Sequence, residues 1–111
     1  MNKRYLEIKK LIQENRPDVE IAEAMSNYHE HDIAELLENL SQPERKRIYH
    51  VLGLAKTANV FPYFDDPQQY IEEISVEDAT AIISLMDSDD AVDILEQLDP
   101  ETKTRIVEKL R

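Results

Sequence analysis

Apolar triads repeated at twelve-residue steps constrain the fold of this chain more than any other feature. Each triad has two adjacent apolar residues and a third one three positions after the second. The eight triads are Ala24-Met25-Tyr28, Leu36-Leu37-Leu40, Ile48-Tyr49-Leu52, Val60-Phe61-Phe64, Tyr70-Ile71-Ile74, Ile82-Ile83-Met86, Ile94-Leu95-Leu98 and Ile106-Val107-Leu110. Their last members are twelve residues apart, except for one ten-residue step across Asp65-Asp66-Pro67. This spacing places each triad on one helix face, so the repeat predicts an array of short helices.

The residues between the triads predict that the helices follow one another with almost no loop. Ser41, Ser75, Asp87 and Asp99 each come directly after a triad, where an N-cap residue of the next helix is expected. In the first three of these cases an acid follows three positions later, which is typical of a capping box. Pro67 and Pro100 stand where the first helical residue is expected, a position that tolerates proline. Helices this short are not stable alone, so each must pack against its neighbours.

A further helix over Lys3–Asn15 is predicted before the repeat, and Arg16-Pro17-Asp18 ends it. Pro62 predicts a bent or shortened helix, so Ala58–Pro67 is the least regular stretch. No pattern favours strands. Residues 1–111 are therefore predicted to form one all-α domain, a right-handed superhelix of short α-helices with about twelve residues each, in an armadillo-like or HEAT-like array.

The charge of the chain is strongly acidic and unevenly distributed. The formal net charge is −11, which disfavours nucleic acid as a partner. Between Lys56 and Lys103 there are thirteen acids and no Lys or Arg. Such a density of like charge costs stability unless cations or a basic partner offset it. Cysteine is absent, so disulfides and thiolate metal sites are excluded.

Catalytic motifs are not found, so the sequence predicts that the chain is not an enzyme. His29 and His31 form a histidine pair that a transition metal could use, but no cysteine or further histidine completes the site. We therefore expect His31 or Asp32 to cap a helix over 32–40.

An EF-hand calcium loop beginning at Asp87 is also excluded, because Val92 and Leu98 stand where glycine and glutamate are required. A different cation site remains possible at the same place. Asp89 or Asp90 lies three or four positions before Asp93 and shares a helix face with it. A hard divalent cation such as Mg²⁺ would relieve the repulsion between these carboxylates. The predicted site is weak and is shared with acids of another domain.

Two segments, His31–Leu40 and Asp89–Leu98, resemble the amino-terminal cytoplasmic domain of MgtE-type magnesium transporters. An opening His-Pro-x-Asp pattern of that family is matched by residues 29–32, with Glu30 in place of the proline. A later Asp-Asp-x-x-Asp pattern is matched by Asp89, Asp90 and Asp93. The resemblance extends over nearly the whole chain.

The resemblance implies a regulatory domain on the cytoplasmic side of the cell membrane. In such proteins a pair of CBS domains, a connecting helix and a transmembrane pore follow this domain, and the transporter is a homodimer. Mg²⁺ bridged between acids of this domain and acids of the CBS domains would close the pore. Asp89 and Asp93, with Asp90 beside them, are the implied Mg²⁺ ligands. A further acidic position of some members falls on Asn59, and an amide is a weaker magnesium ligand.

An alternative function remains open from the sequence. Short Leu-rich helices also occur in the armadillo-like domains of flagellar motor switch proteins. A helical-repeat interaction module of that kind would dock a basic partner on its acidic face. Its binding would weaken with any salt and show no preference for divalent cations.

Overall fold

The computed structural model describes residues 2–111, and within these residues the regular structure is entirely helical. The nine helices are α1 (Lys3–Gln13), α2 (Asp18–Ala24), α3 (Glu30–Glu38), α4 (Gln42–Leu52), α5 (Leu54–Val60), α6 (Pro67–Glu72), α7 (Val76–Ser84), α8 (Ser88–Gln97) and α9 (Pro100–Leu110). A short 3-10 turn, Phe61–Tyr63, follows α5. The predicted all-α array of short helices is therefore confirmed. The molecule is elongated, with extents of 39 × 21 × 20 Å.

The triads supply most of the core. Each of the first seven triads has at least one member in the buried cluster, and its other members pack within or against that cluster. Ile48 and Ile106 are fully buried. Leu110, the last triad member, is 41% exposed, because no further helix of residues 2–111 packs over the end of α9.

The helix boundaries agree with the predictions in most places. Helix α1 ends at Gln13, two residues early, and Asn15 adopts a left-handed conformation with φ 53°. Helix α3 begins at Glu30, two residues before the predicted start, and the Asp32 carboxylate accepts a hydrogen bond from the His29 backbone N–H at 3.0 Å. The N-cap residue is thus His29 and neither His31 nor Asp32, so the predicted cap position is wrong, although Asp32 does bond to the N-cap residue as the third residue of the helix.

The capping predictions hold at three of the four positions. Ser41, Ser75 and Asp99 each accept a hydrogen bond from a backbone N–H of the next helix. Asp87 is the N-cap residue of α8 by position, but its side chain makes no capping hydrogen bond, so that prediction is wrong. The Asp87 side chain instead lines a cleft.

Proline accounts for the irregular middle of the chain. Pro62 cannot donate a helical hydrogen bond, and α5 gives way at Val60 to the 3-10 turn. Phe61 and Phe64 from this segment are buried and pack edge to face, with ring centroids 5.0 Å apart. The turn therefore keeps its apolar residues in the core although the helix ends.

The structure shows a longer period that combines three helices. Ser41 caps α4 and Ser75 caps α7, 34 positions later. Glu38 accepts a hydrogen bond from the backbone N–H of Asp65, and the equivalent Glu72 accepts one from the backbone N–H of Asp99. Helices α3–α5 (the first repeat) and α6–α8 (the second repeat) therefore correspond at an offset of 34 residues. Within residues 2–111, no helix is both long and apolar enough to cross a bilayer.

Candidate functional site

An open cleft of about 470 Å³ lies between the two repeats. We call it the acidic cleft, and its lining residues are Glu30, Ala58, Asn59, Pro62, Tyr63, Met86, Asp87 and Asp90. The beginning of α3, the end of α5 and the 3-10 turn form one wall. The beginning of α8 forms the other wall. Glu30 therefore faces the same space as two carboxylates that lie about sixty positions later, Asp87 and Asp90.

A smaller groove of about 210 Å³ continues from the acidic cleft. We call it the side groove, and its lining residues are Pro62, Phe64, Asp65, Pro67, Asp90, Asp93, Ile94 and Gln97. Pro62 and Asp90 line both spaces. The half-buried Asp90 therefore stands at the point where the acidic cleft and the side groove meet.

The three carboxylates predicted as magnesium ligands point in different directions around α8. Successive helical residues are turned by about 100°, so Asp89 and Asp90 cannot share one face. Asp89 is exposed and lines neither space, Asp90 lines both, and Asp93 lies between them and lines the side groove. The structure therefore offers two pairs for a shared cation, Asp89 with Asp93 on the outer face and Asp90 with Asp93 beside the side groove.

Glu30 belongs to this site, although the sequence reasoning did not select it. It is half-buried at the beginning of α3 and faces the acidic cleft together with Asp87 and Asp90. No spacing rule connects residues that are about sixty positions apart, so only the packed structure reveals this neighbour. Asn59 lines the same cleft, which places the implied acidic position of the family close to Asp90.

The acids of the two spaces have no basic neighbours. No Lys or Arg lines either the acidic cleft or the side groove. Among residues 2–111, the salt bridges include none of five cleft and groove acids, Glu30, Asp65, Asp87, Asp90 and Asp93. Other acids of the acidic stretch between Lys56 and Lys103 form ion pairs: Glu73 with Arg45 at 2.7 Å and Glu77 with Lys109 at 3.5 Å. The uncompensated charge of the second repeat is therefore concentrated around the beginning of α8.

These carboxylates do not form a closed metal site by themselves. Within the described chain, no three side chains of His, Cys, Asp or Glu come close enough together to hold a metal ion. The histidine pair does not change this. His29 is the N-cap residue of α3, and His31 is exposed with its ring 6.5 Å from that of Tyr63. A divalent cation at α8 would need water and ligands from a second surface.

Comparisons with known proteins agree with this fold. A family model described as the MgtE intracellular N domain matches residues 28–111. The solved "Crystal structure of the soluble part of a magnesium transporter" is similar, with a TM-score of 0.88 and 19% sequence identity. The similarity covers 98% of this chain and 44% of that one, so this chain spans less than half of that structure.

No curated protein matches the sequence. At 19% identity the solved structure shows the fold alone, whereas the family model matches most of the chain. That family is defined by a domain and not by a catalytic activity. The predicted resemblance is confirmed, and the chain belongs to the family of MgtE intracellular N domains.

Proposed function

We propose that this chain is a magnesium-sensing regulatory domain of a magnesium transporter. Residues 1–111 form one domain on the cytoplasmic side of the membrane. A pair of CBS domains and a transmembrane pore belong to the same protein, which works as a homodimer. Family membership and the fold shared with the soluble part of a magnesium transporter support this proposal. The domain has no catalytic role, and its only contact with the membrane is through the rest of the transporter.

The sensing mechanism follows from the charge around α8. At low Mg²⁺ the uncompensated carboxylates repel acids on the CBS domains, and this domain stays apart from them. At high Mg²⁺ the ion binds between Asp89 or Asp90, Asp93 and acids of the CBS domains, and the two surfaces close. An ion that binds the closed form better shifts the population toward it by the difference in affinity.

One observation carries the proposal: the acids at the beginning of α8 are unpaired, yet they do not complete a metal site. An incomplete site of this kind binds Mg²⁺ weakly alone and gains ligands when the acidic surface of the CBS domains comes close. Mg²⁺ suits such a site, because it commonly keeps several waters and takes one or two carboxylates. Sensing and closure are thereby coupled.

The experiment is a Mg²⁺ titration of a chain that includes the CBS domains, with closure followed by small-angle scattering or protease protection. The double variant Asp89→Ala/Asp93→Ala is expected to need about tenfold or more Mg²⁺ for half-closure, the loss typical of impaired metal sites. Asp90→Ala, tested separately, shows which of the two carboxylate pairs is used.

The matched control is Glu77→Ala/Asp78→Ala, which removes the same charge from the first turn of α7. It is expected to leave the midpoint nearly unchanged. Equal midpoints for the α8 double variant and the parent chain would refute the proposed ligands. Closure by NaCl at equal ionic strength would instead favour screening and the docking of a basic partner.

A further inference from the structure

The width of the acidic cleft depends on how the two repeats are joined, because each repeat supplies one wall. Glu30 and Asn59 belong to the first repeat, and Asp87 and Asp90 belong to the second. The described backbone that joins the 3-10 turn of the first wall to the second wall passes through α6 and α7. Helix α6 contacts both the 3-10 turn and α8, and α7 contacts α5, so α6 is one of two helices that place α8 against the first repeat.

Arg45 of α4 holds α6 from the side of the first repeat. Its guanidinium donates two hydrogen bonds to the Glu73 carboxylate, at 2.7 and 2.9 Å, and lies 5.0 Å from the ring centre of Tyr70. It also donates to the carbonyl oxygens of Leu37 and Leu40 at the end of α3. The Arg45 and Glu73 side chains are only 11% and 15% exposed, so solvent and salt weaken this pair little.

Glu72, the neighbour of Glu73, continues the connection toward α8. Its carboxylate accepts a hydrogen bond from the backbone N–H of Asp99, directly after α8, at 3.3 Å. The two adjacent glutamates at the end of α6 thus contact different partners. Glu73 contacts Arg45 of the first repeat, and Glu72 contacts the backbone directly after α8. The contacts of α6 with α8 complete the path from Arg45 to the far wall of the acidic cleft.

Comparison of the two repeats shows that the Arg45–Glu73 ion pair occurs only where the first repeat meets α6. The residue equivalent to Arg45 in the second repeat is Ala79, and the one equivalent to Glu73 is Val107. Building a repeat therefore does not require the ion pair. We infer that Arg45 is a positioning residue that sets the width of the acidic cleft by fixing α6, and α8 with it, against α3 and α4. The effect of Arg45 on the Mg²⁺ response rests on the proposed function, but its effect on the width of the acidic cleft does not.

The geometric test uses spin labels on cysteines, which the natural chain lacks. Ala55→Cys on α5 and Glu96→Cys on α8 are exposed and lie outside both spaces, and their separation is measured by pulsed electron resonance without Mg²⁺. Arg45→Met is expected to shift and broaden the distance distribution. Glu73→Gln, a milder change that loses the charge of the pair, is expected to give a smaller shift in the same direction.

Two controls separate positioning from simple loss of stability. Glu72→Gln alters the neighbouring carboxylate but keeps an oxygen for the Asp99 N–H, so the distribution should match that of the parent chain. Ile106→Val removes a buried methyl group of α9 and should lower the unfolding temperature without moving the labels. A parental distribution in folded Glu73→Gln and Arg45→Met, or a shift of equal size in Ile106→Val, overturns the inference.

In the chain that includes the CBS domains, Arg45→Met is expected to raise the Mg²⁺ midpoint by about tenfold, as when support of metal ligands is lost. A shifted label distance with an unchanged midpoint would leave the positioning role intact. That result would count against the acidic cleft as part of the magnesium site.

Discussion

The two repeats have the same architecture but differ in charge at the positions that form the second wall of the cleft. Met86, Asp87 and Asp90 form one wall of the acidic cleft in the second repeat. Their equivalents in the first repeat are Leu52, Gly53 and Lys56. Leu52 and Lys56 line a pocket of about 120 Å³, much smaller than the acidic cleft of about 470 Å³.

This difference shows whether folding of a repeat requires the carboxylates at the beginning of α8. The first repeat buries its triads and forms its helices without any carboxylate at the beginning of α5. Asp89 and Asp90 gain some stability from the N-terminus of α8, but the like-charged side chains there also repel one another. Formation of a repeat therefore does not require these acids, and three sets of substitutions test the comparison between the repeats.

The largest effect is expected at the helix caps. Ser41→Ala and Ser75→Ala should each lower the free energy of unfolding by about 1 kcal/mol, because a backbone N–H loses its hydrogen-bond acceptor. Asp87→Ala should cost less than about half of that, because the Asp87 side chain makes no capping bond. Urea unfolding at one pH measures all three. An equal loss at Asp87 would mean that it has a folding role like that of the serines.

A smaller effect of opposite sign is expected inside the first repeat. The Tyr49 hydroxyl is buried and has no hydrogen-bond partner among the described residues, and burial raises the pKa of this phenol. The equivalent residue of the second repeat is the apolar Ile83. Tyr49→Phe should raise the free energy of unfolding by up to about 1 kcal/mol, because an unsatisfied buried hydroxyl is removed.

The control for this prediction is Tyr63→Phe, which removes a hydroxyl from a ring that is 53% exposed. It should leave thermal unfolding unchanged. If Tyr49→Phe destabilises the chain instead, an ordered water bridges the hydroxyl to its surroundings, and the first repeat depends on a buried polar contact that the second lacks.

The sequence was sufficient to predict the helices because their signals are local. Triad spacing, caps and prolines act within a few residues, so the all-α array and the break at Pro62 followed from them. The capping hydrogen bond of Asp87 was predicted wrongly, because the side chain at an N-cap position can also face a neighbouring cleft. Whether it does so depends on how the second repeat packs against the first.

The candidate site was predictable in part for the same reason. Asp89, Asp90 and Asp93 were selected as candidate ligands because they are close in sequence, and their different directions around α8 follow from helix geometry. Glu30 was missed because it reaches the acidic cleft through tertiary packing alone. Arg45 was missed because an isolated basic residue carries no pattern that shows which acid it contacts.

The smallest predicted effect concerns the caps of α6 and α9, which are equivalent helices. Asp99 accepts a hydrogen bond from the Thr102 backbone N–H at 2.9 Å, whereas the Asp66 carboxylate accepts from the Gln68 side chain. Hydrogen bonds from Thr102 lower the pKa of the Asp99 carboxyl below its usual value of 3.8. A lowered pKa means that the stability gained is fully present above about pH 4 and is lost as pH falls through the lower, folded-state value.

Asp99→Asn keeps a capping oxygen but removes the charge, so the parent chain should be the more stable one at neutral pH. The difference in free energy of unfolding should shrink on acidification below about pH 4. A carbon NMR titration of the Asp99 carboxyl measures its pKa directly. A titration midpoint at or above 3.8 would contradict the assigned cap, and neither α6 nor α9 would then begin with a charged cap bond to the backbone.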